Sequence, residues 1–90
     1  MLRDENAQKR IAALQAMART RDSGLLADAE KVFLAPGEHP EVIAAAASAI
    51  AETAGSKALR LFEAALDSDR APVRIAAAVE LLRAVRPPNQ

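Results

Sequence analysis

His39 is the only histidine in the chain, and Glu38 and Glu41 stand close on either side of it. An imidazole beside carboxylates is the raw material of general acid–base catalysis. A working site needs more groups. The chain has no cysteine and no second histidine to complete a zinc set, and no recognisable Ser-His-Asp order. His39 also falls in a turn bounded by Pro36 and Pro40, where a solvated loop residue is the simpler account. Asp67-Ser68-Asp69 looks like the start of a cation loop, but the glycine and the later bidentate acid of an EF-hand are missing. Helix capping is the better reading of that cluster. Gly24 and Gly55 do not lead from a strand into a helix, as a phosphate loop requires, and read as chain reversals. No catalytic residue, cofactor or metal site is expected, and the chain reads as a non-enzyme.

Arg10, Arg19 and Arg21 early in the chain, and Arg70, Arg74, Arg83 and Arg86 late in it, could touch phosphates. Against that, twelve bases balance twelve acids and there is no Trp or Tyr to stack on a base, so nucleic acid is not the expected partner. The charge is banded: net plus three over 1–21, minus five over 22–52 and plus two over 53–90. Such bands suit an ordinary solvated surface, and they also suit a stack that docks end to end. No segment pairs a broad apolar face with a strongly basic one, so membrane is not expected as a partner either. Met1-Leu2-Arg3-Asp4-Glu5 lacks the apolar stretch of a secretory signal, and a cytoplasmic protein is the expectation.

The elements that would position these groups are all helical. Turn signals at Arg21–Gly24, Ala35–Pro40, Ala54–Ser56 and Asp67–Pro72 cut the chain into five segments rich in Ala, Leu, Glu, Lys and Arg. Helices are expected over 4–20, 24–35, 40–53, 56–67 and 71–85, forming one domain over 1–86 with a tail over 87–90. Asp4, Ser23, Ser56 and Asp69 suit N-caps, and Pro40 and Pro72 suit first-turn positions.

The segments repeat. Leu25, Leu26, Ala29, Val32 and Phe33 recur with the same spacing as Ala58, Leu59, Phe62, Ala65 and Leu66. Val42, Ala45, Ala46, Ala49 and Ile50 recur likewise as Val73, Ala76, Ala77, Glu80 and Leu81. Ala12, Ala13, Ala16 and Met17 stand one step before the same positions of the third helix, and Arg10-Ile11-Ala12-Ala13 returns verbatim as Arg74-Ile75-Ala76-Ala77. The period is roughly 32 residues, which points to stacked helix pairs. Twenty-three of the ninety residues are alanine, concentrated in the third helix, which suits a helix with close neighbours on several sides.

Asp67-Ser68-Asp69-Arg70-Ala71-Pro72-Val73-Arg74-Ile75-Ala76-Ala77, with Leu81, resembles the turn and second helix of a HEAT repeat. Pro40-Glu41-Val42, Ala45-Ala46 and Ile50 form a weaker copy, and the first helix resembles a second helix without its first. The resemblance implies an all-α, solenoid-type stack of antiparallel helix pairs that binds protein. It also admits an accessory role beside an enzyme, as in HEAT-like proteins that assist bilin attachment, and more remotely DNA binding. In such repeats a turn Asp and a helix Arg often bond between units, parts open here to Asp67 or Asp69 with Arg74, and to Arg10. The middle copy departs, with Ile43 where the Arg belongs and Ala35-Pro36 in place of the turn acid, so a continuous ladder is not expected.

Leu26, Phe33, Leu59, Phe62, Leu66, Ile75 and Leu82 are the expected core. The expected protein-binding residues are Arg10, Ile11, Leu14, Arg74, Leu81, Leu82 and Val85, on the end helices of a stack without polar caps, which is expected to self-associate or dock on a partner.

Overall fold

The computed structural model describes residues 5–20, 24, 26–35 and 37–85, and all their regular structure is helical. Five helices follow in order: α1 (Glu5–Thr20), α2 (Leu26–Leu34), α3 (Pro40–Ala54), α4 (Ala58–Ala65) and α5 (Ala71–Val85), with a 3-10 turn over Gly55–Lys57. Pro40 opens α3 and Pro72 lies in the first turn of α5, where a missing N–H costs nothing. The capping expectations fare less well. His39 is the N-cap of α3 without a capping side-chain bond, Ser56 falls inside the 3-10 turn, and α5 starts after Arg70 rather than Asp69. Asp4, Ser23 and the tail over 87–90 lie outside the described residues. Gly55 closes α3 at φ +59°, a conformation that disfavours side chains, so the reversal read there is a real one.

α3 is the hub. It touches α1, α2, α4 and α5, and six of its residues are buried: Val42, Ile43, Ala46, Ala47, Ala49 and Ile50. Its alanines let four neighbours approach one axis, as the composition suggested. α2 pairs with α3 and α4 with α5, while α1 stacks on α3 without a described partner of its own. The first helices meet through Phe33 and Phe62, whose rings stand edge to face at 5.8 Å in the deepest part of the core.

The repeat register survives in the burial. Val73, Ala77 and Glu80 are buried like their counterparts Val42, Ala46 and Ala49. In the other two pairs, Ala76 with Ala45 and Leu81 with Ile50, one member is buried and the other is half-buried against the core. Three expected core residues are not core. Ile75 is 63% exposed, Leu82 67% and Leu66 42%. Leu66 holds the register of Phe33, which Phe62 of the next unit covers, and Leu82 that of the half-buried Ala51, whereas Ile75 holds that of Ala44, which is exposed as well. Leu26 is half-buried against the core and Leu59 is half-buried. α1 keeps its expected register, burying Met17 like Ile50 and Leu14 like Ala47, but its Ala12, Ala13 and Ala16 are exposed.

Candidate protein-interaction site

Successive antiparallel connections leave α1, α3 and α5 running in one direction, and together they line a groove of about 890 Å³. The repeat register sorts its walls into rungs. Ile11, Ala44 and Ile75 hold one position, Gln15, Ser48 and Val79 the position one turn on, and Arg19, Glu52 and Arg83 the position after that. The floor from α3 is small, and the larger apolar groups stand on the flanking helices. The rung of Ile11, Ala44 and Ile75 is apolar, with Glu41 one turn before it at the rim, and the far end carries charges of both signs.

Glu80 borders this groove and a smaller cleft of about 320 Å³ beside α4. It is a buried carboxylate at a position that α3 fills with Ala49, and its Oε2 accepts from the exposed Arg83 guanidinium at 3.1 Å. Burial pushes the Glu80 carboxyl up; Arg83 opposes the shift and Glu52 adds to it.

The turns carry the other charged contacts. Arg10 donates to Glu38 Oε1 at 2.7 Å, and this bond holds the Glu38 carboxyl below its ordinary range. The His39 N–H donates to the same oxygen at 2.9 Å. In the repeat register Glu38 falls on Asp69, so it is the turn acid of the middle unit, which the sequence reading had sought at Ala35-Pro36. A single rung of the inter-unit ladder therefore exists. The next is missing because Ile43 replaces its arginine, and Arg74 donates to the Ser68 carbonyl of its own turn at 2.7 Å. Arg70 reaches back across units to the C-terminal end of α2, donating to the Leu34 carbonyl at 2.7 Å and to that of Ala35, just past the helix, at 2.6 Å. A cation on a helix C-terminus stabilises it. Sequence reading offered Arg70 to phosphates; only its place in the turn could have signalled the carbonyls.

Among the proposed binding residues, Ile11 and Leu14 line the groove, Leu14 mostly buried. Arg10 is committed to Glu38, Leu81 packs against the core, and Arg74 and Leu82 are exposed on the far side of α5. The side chain of Val85 lies outside the described residues. His39 lies 3.9 Å from Glu41, and no group of three metal-ligating side chains occurs among the described residues. No helix among them is long and apolar enough to cross a membrane.

The family model for HEAT repeats matches residues 1–83, nearly the whole chain. The chain belongs to the HEAT-repeat family, an all-α, solenoid-type fold associated with protein interaction. No curated protein and no solved structure gives a significant match.

Proposed function

We propose that this chain is a non-catalytic protein-interaction module whose groove receives a helical segment of a partner protein. The observation that carries the reading is the groove itself: Ile75 and Val79 stand in it exposed, above a floor of Ala44, Ala45 and Ser48. Small floor residues leave room for large side chains from outside, the usual way an apolar helix face is seated. The partner that fits presents an apolar stripe and, one to two turns along, charged groups to meet Arg19, Glu52 and Arg83. Mixed charge at that end suits protein better than a phosphate backbone. An accessory role beside an enzyme would use the same surface and differ only in who supplies the partner.

A photoreactive side chain introduced at Ser48 should cross-link to that partner, whereas one at the exposed Asp28 of α2 should not. With the partner purified, Ile75→Glu should weaken binding roughly tenfold or more by calorimetry. Equal cross-linking from both positions, or unchanged binding by Ile75→Glu, would contradict the reading.

A further inference from the structure

We infer that the smaller cleft beside α4 seats one arginine side chain of the partner segment, its stem along Leu59 and Ala84 and its guanidinium on the Glu80 carboxylate. The inference rests on the reading of the groove as the partner's site, and it fixes the sign of the charge that the partner must carry there.

The cleft, of about 320 Å³, is distinct from the groove floor, yet the two share Glu80 and Arg83. A segment lying in the groove therefore reaches it with a single long side chain. Ala51, Leu59, Phe62 and Ala84 give the cleft apolar walls drawn from α3, α4 and α5. Among the described residues, its charged lining is Glu80 and Arg83. Apolar walls that end in a charge suit a side chain with an alkyl stem and a charged tip.

Glu80 sets the sign of that tip. Its side chain is only 7% exposed, and its Oε2 accepts from Arg83, which is itself 63% exposed. No described residue donates to its Oε1. Glu52 of α3 is near enough to oppose ionisation of Glu80, which burial already disfavours. Two carboxylates thus share one largely solvated cation. Arg19, the other cation at that end of the groove, belongs to α1, which packs on α3. α3 also ends here, with Ala51 and Gly55 on the cleft, and a helix C-terminus adds partial negative charge.

An arriving guanidinium gives Oε1 a donor and leaves Arg83 free to turn toward Glu52. A lysine has the length, but a guanidinium is less strongly hydrated and matches a carboxylate in its own plane, which suits a buried acid. The repeat register agrees. The counterpart of Glu80 on α3 is Ala49, so the fold itself asks for no acid at this position. A buried carboxylate that breaks the pattern of its own repeat, at the edge of a cleft, is what a built site looks like.

The test uses the isotope-labelled full chain at pH 7 and two probes of one shape, N-butylguanidine and its neutral isostere N-butylurea. In nuclear magnetic resonance titrations the guanidine should saturably shift the Ala51 and Leu59 amides and the Glu80 carboxyl carbon. It should also lower the pH at which that carboxyl titrates. N-butylurea should bind roughly tenfold more weakly. Glu80→Gln, with folding confirmed by circular dichroism, should erase the difference between the probes. Saturating N-butylguanidine should in addition reduce the Ser48 cross-link to the partner. Equal binding of both probes, or a Glu80→Gln chain that still prefers the guanidine, would overturn the inference. So would a Ser48 cross-link that saturating guanidine leaves undiminished, a result under which the groove reading itself still stands.

Discussion

Glu80 is the residue least suited to its place. Its position holds alanine in α3, and in α5 it buries a carboxylate whose one hydrogen-bonding cation, Arg83, is largely in water. A carboxyl with a raised pKa binds its proton more readily folded than unfolded. Its contribution to stability is therefore greatest below the ordinary value of 4.5 and is lost as pH rises through the raised one. Glu38 has the opposite sign: its bond from Arg10 contributes above 4.5 and is lost as pH falls through the lowered value. Glu80→Gln removes the buried charge yet keeps an acceptor for Arg83. It should raise the urea midpoint at pH 7, by up to about 1 kcal/mol in stability given the exposure of Arg83, and the gain should fade toward pH 4. A lower midpoint at pH 7 would mean that the ion pair outweighs its burial. The sequence showed Glu80 aligned with Ala49 but not what the mismatch does, because burial depends on which side α3 lies. Glu38 was legible as an acid beside His39, and its role as the turn acid emerged only when Arg10 was seen to reach it from far along the chain.

At the scale of elements, the pairing of helices rests on Phe33 and Phe62. They are the only aromatic residues, they are almost wholly buried, and they join the two first helices edge to face. Phe62→Ala should cost about 3–5 kcal/mol, a large share of the stability of so small a domain, read as a fall in the urea midpoint. An unchanged midpoint would mean that the register of α2 against α4 is not the one described. The five helices, their repeat period and the central place of α3 were all readable from turn residues and alanine spacing. What misled was the assumption that equivalent positions have equivalent neighbours. Leu66 and Leu82 hold the register of Phe33 and Ala51, which neighbours cover, whereas Ile75 holds that of Ala44, exposed on the middle helix as well because both line the groove. The ends of helices were read less well than their cores. Ser56 and Asp69 are good capping residues by type, yet a 3-10 turn and a bond from the Arg70 N–H to Ser68 Oγ shift the starts of α4 and α5 past them.

At the scale of the molecule, stacking α1, α3 and α5 side by side creates the groove, with small residues on α3 as its floor and larger apolar groups on the flanking helices. The most direct measurement is an amide shift map of the labelled chain titrated with the purified partner. Ala44, Ser48, Ile75 and Val79 should shift together, while Asp28 and Glu63, exposed on the first helices, should stay fixed. Shifts confined to α2 and α4, with the groove residues unmoved, would contradict the account.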